Sequence, residues 1–512
     1  MRVLLINPPY HAISCTYGLG VQTPSGLLAI GGPLLDAGHT VRLLDAEIRH
    51  LSLAQIVAEV QRFAPDVVMT SHGGSTPAHP TVCAMAQAIK RACPQTLMVY
   101  GGVYPTYHGA EILAAEAAID FIVRGEGEQT AVNLLAALSE RRPLASVPGL
   151  FLRGEQGVIT TPAPVMIERL DDYRVGWELI EDWDVYQCWD VGRAAIIQFS
   201  RGCPHQCTYC GQRGFWTRWR YRTPEKVAAE IAWLHRTHGV NFVDLADENP
   251  TTSPRLWRRF LEAMIAEAVP VKLFASLRTT DIVRDADILP RYKAAGFECF
   301  IIGLETTDPA LLARIRKGST QTIDQQAIAL LHRHGMLSMV TQIFGLAEER
   351  WRDYWRTWQR LRIYDPDMLN GMFMTPHRWT PFYAETGERM VIEKNHSHWD
   401  YRHQVLATRY LLPWQVFVAV KALEFAIHLR PHALWRLLRH PDTDIRRALR
   451  WCTRRATRVW WAEIRDFLLP QRTRQSGTPT QNLFEFWGAP MHEEQVLRRK
   501  PPTSSFSVEI SS

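Results

Sequence analysis

The chain of 512 residues has only nine cysteines. That is too few for a disulfide scaffold of this size, and a reducing compartment fits. It also lacks a long uninterrupted apolar run. The N-terminal MRVLLINPPY turns polar at Asn7 and breaks at Pro8 and Pro9, the pattern of a buried strand entering a loop and not of a signal peptide. The longest later stretch, VFVAVKALEFAIHL (416–429), is too short to span a bilayer and carries Lys421 and Glu424. No concentrated basic block is present either. A net charge of +6, with 21% charged residues, mildly favours an anionic partner or a membrane surface but does not predict a dedicated nucleic-acid face. A cytoplasmic protein of about two to four domains is expected.

What is present first is alternation. VLLIN (3–7), VRLLDAE (41–47), DVVMTS (66–71), LMVYGG (97–102) and DFIVRGEGE (120–128) read as buried strands, with helical periodicity at 26–39, 53–63 and 80–94. This predicts an α/β, doubly wound, Rossmann-like parallel sheet over residues 1–145, followed by a linker over 146–190. Ligands of such sheets sit beyond the carboxyl ends of the strands. Here those ends read NPPYH, SHGGS, YGGVYP and RGEGE. Ser71, Gly101, Gly102, Gly125 and Gly127 are therefore candidate ligand contacts, because glycine lets backbone approach a flat or phosphorylated ligand. Strand-to-helix turns use glycine anyway, but four such ends share one sheet edge.

A further lack sits mid-chain. RGCPHQCTYCGQRGFW (201–216) places Cys203, Cys207 and Cys210 within eight positions, with no fourth cysteine nearby. The loop follows the strand RAAIIQFS (193–200). Structural zinc takes four N/S ligands and the spacing supplies three, although His205 leaves a Cys3His site open. Three apolar buried thiols do not suit a loop containing Pro204, His205 and Gln206. An iron–sulfur cluster held by three thiolates, with one iron left for an exogenous ligand, accounts for the spacing better. Downstream, helical segments (223–239, 255–268, 286–296, 322–335) alternate with strands (240–249, 271–279, 297–306, 337–346). The repeat predicts a partial (β/α) barrel over 191–385, with chemistry at the carboxyl strand ends. Asp247, Glu248 and Asn249 end one strand, Arg278 the next and Glu305 a third; Gln342 and Gly345 lie near the end of a fourth. Each alone is an ordinary loop charge or salt bridge. Their shared placement marks Glu305 and the 247–248 pair as site candidates.

The segment CPHQCTYC matches the signature of the radical S-adenosylmethionine (SAM) superfamily. With NPPYH, IVRGEGE, LADENPT, RTTDIVRDADILPRYKAAGF and IIGLETTDPALLARIRKGST, residues 1–385 resemble enzymes that place a cobalamin-binding domain before a radical SAM barrel. Within that class the chain resembles the anaerobic magnesium-protoporphyrin IX monomethyl ester oxidative cyclases of bacteriochlorophyll synthesis and the neighbouring carbon- and phosphorus-methylases. The resemblance implies a [4Fe–4S] cluster on Cys203, Cys207 and Cys210, with SAM chelating the open iron and cleaved to a 5′-deoxyadenosyl radical. It implies Tyr209 near adenine, the 247–248 pair at the SAM amino group, Glu305 at ribose or methionine groups, and Arg278 at a SAM or substrate carboxylate. It implies cobalamin against the first domain. Methionine-synthase-type domains carry Asp-x-His-x-x-Gly after the first strand; NPPYHAISCTYGLG has His11 but neither the Asp nor the spaced Gly. The lower axial position is therefore expected not to be filled by histidine, and His11 to be a loop or substrate-side residue. Phe215, Trp216 and Trp219 are expected as an apolar wall near the cluster or as plain packing. The implied reaction is ring closure of a tetrapyrrole side chain with oxygen from water, fed by a donor such as flavodoxin or ferredoxin and without nucleic acid. The alternatives are a cobalamin-dependent methylase and a non-catalytic corrinoid-binding regulatory module.

After residue 385 the pattern changes. Residues 386–470 predict a C-terminal helical extension, two or three helices dense in Arg and Trp and broken near Pro431 and Pro441, packing on the barrel. Its basic, Trp-bearing face is expected to be solvated or to rest on a membrane surface. Cys452 is expected as an ordinary buried thiol. The polar, Pro/Ser-rich 471–512 is expected to be disordered in part.

Overall fold

The computed structural model describes residues 1–10, 23–188, 192–212, 214–216 and 218–468. The loop with His11 and the tail 471–512 lie outside the described residues.

The first sheet begins with β1 (Arg2–Asn7), apolar and buried beyond its first residue. It continues through β2 (Thr40–Asp45), β3 (Val67–Thr70), β4 (Leu97–Tyr100) and β5 (Phe121–Val123). These five run parallel in the order β2-β1-β3-β4-β5. That order reverses direction between β1 and β3, and such switch points open a crevice at the carboxyl edge. Local signals set the helix ends. Ser52 and Gln55 form a reciprocal capping box at the start of the helix Leu53–Phe63. The sheet extends past residue 145: β6 (Leu150–Gly154) and β7 (Gly157–Thr160) form an antiparallel hairpin on β5.

The rest of the expected linker is a strap between the two units. Its backbone crosses the helix Ser25–Asp36 so closely that a Cβ on Gly32 would stand 2.2 Å from the Arg174 carbonyl oxygen. Trp177 donates to Glu230 at 2.6 Å, and Tyr186 donates to Asp45 at 2.7 Å. One apolar core consequently runs through both units, from Val3 and Leu5 to Phe199, Trp257 and Phe300.

The second sheet starts with the short β8 (Gln187–Cys188), antiparallel to β9 (Gly192–Ile197). A two-stranded ribbon, β10 (Ser200–Arg201) with β11 (Arg220–Tyr221), brackets the cysteine loop. Then β12 (Val240–Leu245), β13 (Lys272–Leu277), β14 (Phe297–Glu305), β15 (Leu337–Phe344) and β16 (Met368–Phe373) add in sequence, parallel to β9. The order β8-β9-β12-β13-β14-β15-β16 leaves β8 and β16 at open edges, so the barrel is partial. β16 is an additional strand, not read from the sequence.

Three helices, Pro413–His428, Pro431–Arg439 and Thr443–Leu468, are the last of the described residues. The first covers the β16 edge. Glu424 accepts the Gly371 N–H at 2.8 Å, and His428 accepts the Leu369 N–H at 3.3 Å. Residues four apart share one helix face, so this pair meets successive outward N–H groups of the strand. Lys421 is buried between Glu424 and Glu463, at 2.8 and 2.5 Å. Cys452 is buried in an apolar cluster, and burial pushes its thiol up to about 12.

Candidate active site between the two sheets

The cysteine loop leaves β10 through Gly202, at φ +90°, where a Cβ would strike the Arg218 carbonyl oxygen. The Gly202 N–H donates to Glu248 at 3.0 Å. Further along, the Thr208 N–H donates to the Ile315 carbonyl, and the Phe382 N–H to that of Thr208. Cys207 is buried, with its Sγ 3.8 Å from Arg278 Nη1 and 3.6 Å from the Arg316 carbonyl oxygen. Arg278 also donates to the Lys317 carbonyl, while its Nε is buried without a partner. Burial raises the Cys203 thiol, an effect that the nearby Arg278 charge opposes.

The donor set discriminates between metals. A single zinc ion holds its ligand atoms within about 4 Å of one another. Among the described residues, Cys203, Cys207, Cys210 and His205 supply no trio of ligand atoms within 4.8 Å, and His205 is exposed. Thiolates spread over separate irons of a cluster need no such proximity. The loop therefore fits a three-thiolate cluster, with the Arg278 guanidinium beside one thiolate.

The barrel strand ends sort the polar candidates. Glu305 bulges out of β14 at φ +64° and accepts from the buried Lys317 ammonium at 2.7 Å. Tyr209 lies against Glu305, and burial followed by that carboxylate drives its hydroxyl far above the usual range. Both line a cavity of about 990 Å³, as does Glu248. Burial pushes the Glu248 carboxyl up to about 8. Asp247 turns elsewhere: its oxygens accept from the Phe199 N–H at 3.1 Å and from the Ser200 N–H and hydroxyl. It fastens the strand end that launches the cysteine loop, and burial pushes it up to about 7. Asn249 is engaged by Thr251 at 3.0 Å, and Gly345 donates to Glu349 at 3.0 Å. Gln342 is buried with an unpartnered Oε1. Phe215 and Trp216 line the cavity edge-to-face, 5.1 Å apart. Trp219 instead packs on the core and donates to the Asn249 carbonyl at 3.1 Å.

The first sheet supplies the opposite wall. Ser71, Gly101, Gly102, Gly125 and Gly127 all line the same cavity. Gly102 sits at φ +108°, and a Cβ there would meet Ser71 Oγ at 2.9 Å. Two lining histidines have both ring nitrogens engaged. His72 faces Glu47 at 2.9 Å and accepts from Gly74 at 2.7 Å. His377 faces Thr76 at 3.1 Å and Tyr401 at 2.7 Å.

Several cavity residues escaped the sequence reading. Asp244 on β12 was visible as a charge inside an apolar strand; burial and the neighbouring Asp247 push it up to about 7. Glu126 and Glu128, within RGEGE, were legible only as glycine spacing. They hold the cysteine-loop ribbon: Arg201 meets Glu126 at 3.0 Å and Glu128 at 2.6 Å, and Arg220 meets Glu126 at 2.7 Å. His377 and Tyr401 carried no motif.

Comparison with known proteins places the Radical SAM superfamily model on residues 197–361 and the B12 binding domain model on 16–135. An anaerobic magnesium-protoporphyrin IX monomethyl ester cyclase of Synechocystis is 48% identical over 97% of this chain and 99% of its own length. One from Rubrivivax gelatinosus is 33% identical, covering 77% of this chain and 71% of that protein. The radical SAM methyltransferase TsrM of Kitasatospora setae, solved with cobalamin and a [4Fe–4S] cluster, superposes with a TM-score of 0.66 at 18% identity. It covers 84% of this chain and 89% of that one, and establishes the shared fold.

Proposed function

Because the chain belongs to the cobalamin-binding radical SAM family of anaerobic magnesium-protoporphyrin IX monomethyl ester cyclases, we propose that it closes the isocyclic ring of that tetrapyrrole ester without O2. The observation that carries this reading is a cavity of about 990 Å³ onto which the cysteine loop and the carboxyl ends of both sheets open. When bound, a [4Fe–4S] cluster with SAM would supply one-electron reductive cleavage, and cobalamin would supply its own cobalt chemistry.

The protein's own part is holding, orienting and excluding water. Cys203, Cys207 and Cys210 would hold the cluster, with the Arg278 guanidinium beside the Cys207 sulfur. Tyr209, Glu305 and Glu248 form the SAM-facing wall, and the Lys317 ammonium fixes the Glu305 carboxylate. Arg278 Nε is the unsatisfied donor available to a carboxylate. Asp247 acts on the loop's backbone instead of on SAM. Ser71 and the glycines 101, 102, 125 and 127 let the backbone lie against a flat ring. His72 and His377, whose ring nitrogens are engaged by protein groups, would stand as polar wall residues beside the corrin. Phe215 and Trp216 give that side of the cavity an apolar face. Burial raises the Asp244 and Glu248 carboxyls to about 7 and about 8, so both can exchange a proton near neutral pH at the cavity wall.

Electrons come from a small donor such as flavodoxin or ferredoxin, in the cytoplasm. Among the described residues no helix is long and apolar enough to cross a membrane. Trp435 and Trp461, 49% and 68% exposed among arginines of the C-terminal helices, suit peripheral contact with an anionic bilayer that delivers the apolar substrate.

The test is anaerobic incubation of the reconstituted protein with SAM, cobalamin, a reductant and magnesium-protoporphyrin IX monomethyl ester. A product with a ketone-bearing fifth ring, labelled from H2¹⁸O and carrying no extra methyl, is expected. A mass gain of one methyl group without ring closure would replace cyclisation with methyl transfer.

A further inference from the structure

Outside the cavity, the described residues gather most of their exposed large apolar side chains on one set of neighbouring helices. The helix Pro413–His428 lies in the middle. Its inner side covers β16, while Val418, Phe425 and the following Leu429 are exposed, with Ala422 and Ala426 between them. These positions recur three or four apart and form one outward face without a charge. On one side packs the helix Trp351–Tyr364. It exposes Trp351 and Trp355 beside Arg352, Arg356 and Arg360. Its one acid, Asp353, is already met by Arg352 and Arg356. On the other side runs the helix Thr443–Leu468: Phe417 stacks on Phe467 at 4.1 Å, and Phe425 meets Trp460 at 4.5 Å. Its outward stripe is Arg447, Arg450, Arg454, Arg458, Trp461 and Arg465, with no exposed acid between the first and the last. The short helix Pro431–Arg439 adds exposed Leu434, Trp435 and Leu438. Arg450 donates to the Leu437 and Leu438 carbonyls, so these leucines adjoin the basic stripe.

Resting on the peripheral contact assigned above to Trp435 and Trp461, we propose that this whole face seats the protein on a bilayer containing anionic phospholipid. The helix Pro413–His428 lies along the interface with its uncharged face toward the acyl chains. The arginines of the two flanking helices meet headgroup phosphates, and the tryptophans occupy the boundary between the two. Charge decides the occupant. A second copy docked through the same face would set one basic rim against another, whereas anionic lipid complements both rims at once. The seat is superficial, because among the described residues no helix is long and apolar enough to cross a membrane. It also adjoins the cavity. The helix Thr443–Leu468 carries Arg455 on the cavity lining and Arg454 and Arg458 outward, so an apolar tetrapyrrole held in the bilayer stands one helix from the site.

The test is sedimentation of the reconstituted full-length protein with vesicles, without SAM or tetrapyrrole. Partition onto vesicles of phosphatidylglycerol with phosphatidylcholine is expected to be at least about tenfold tighter than onto phosphatidylcholine alone, and to weaken with salt. V418D/L429D, which puts charge on the central face, should weaken it about tenfold or more. R356E/R458E should remove the preference for phosphatidylglycerol. W233S, at an exposed tryptophan on another helix, should change nothing. All three variants should keep the wild-type iron content. Wild-type protein that ignores both vesicles, or partition that neither face variant alters, would overturn the proposal. So would a wild-type dimer that V418D/L429D dissociates without any vesicle binding, which would give the face to a second copy. The wild-type lipid comparison decides even where a variant fails to fold. No turnover enters the measurement: a methylated product would replace cyclisation and leave the seat standing, and cyclisation without partition would do the reverse.

Discussion

Gly102 leads out of β4 at φ +108°, with a phantom Cβ 2.9 Å from Ser71 Oγ. A side chain there meets backbone strain of about 1–3 kcal/mol and displaces a hydroxyl from the cavity wall. G102A is expected to weaken cobalamin binding about tenfold or more in an absorbance titration, with cluster content unchanged. At the cysteine loop the expectation is sharper. C203A, C207A and C210A should each lose the iron–sulfur absorbance and form no 5′-deoxyadenosine from SAM. A variant that kept full SAM cleavage would remove that thiol from the ligand set. Glu305 tests the opposite wall. E305Q leaves Lys317 buried without its counter-charge and should raise the KM for SAM more than it changes cluster content.

Among the elements, β16 depends most on its neighbour. It ends the sheet, and its outward N–H groups at Leu369 and Gly371 are met by His428 and Glu424 of the covering helix. A Cβ on Gly371 would stand 2.6 Å from Glu424 Oε1, so the close approach needs glycine. E424A strands a buried N–H and should cost about 1–3 kcal/mol in reversible denaturation. Lys421 keeps Glu463 as a partner in that variant, which holds the loss below that of an abandoned charge. This closure also explains why Lys421 and Glu424 sit inside so apolar a stretch: they neutralise one another beneath the helix.

Across the whole molecule, the ion pairs from Glu126 and Glu128 to Arg201 and Arg220 join the carboxyl edge of the first sheet to the ribbon carrying the cysteine loop. Burial alone would raise the Glu126 carboxyl. The hydrogen bond from Arg220 and the charges of Arg201 and Arg220 outweigh it and hold the carboxyl below its ordinary 4.5. A depressed native value means that the unfolded chain takes up protons first on acidification. The stabilisation is therefore complete above about pH 4.5 and is lost as the pH falls through the lowered value. E126Q should flatten that acid-side slope and cost about 3–5 kcal/mol near neutrality, because Arg220 stays buried without its carboxylate. Thermal midpoints of both proteins between pH 3 and pH 8 measure the two effects together.

The sequence by itself determined what depends on neighbours along the chain: buried strands, helix periodicity and caps, glycine at strand ends, and three thiols on one loop without a fourth. The cysteine loop after a strand, the paired α/β units and the glycines at the cavity were legible for that reason. The tertiary structure alone decided what depends on segments far apart. Glu126 meets Arg201 and Arg220 from 75 and 94 residues away. Asp247 and Glu248 are adjacent in the chain, yet one serves the backbone of residues 199 and 200 while the other faces the cavity. β16 was missed because Asn370 and Gly371 interrupt its apolar pattern, and its edge is satisfied by a helix about fifty residues onward. Buried charges and polar edges need partners wherever the fold can supply them, and no local pattern encodes which distant segment arrives.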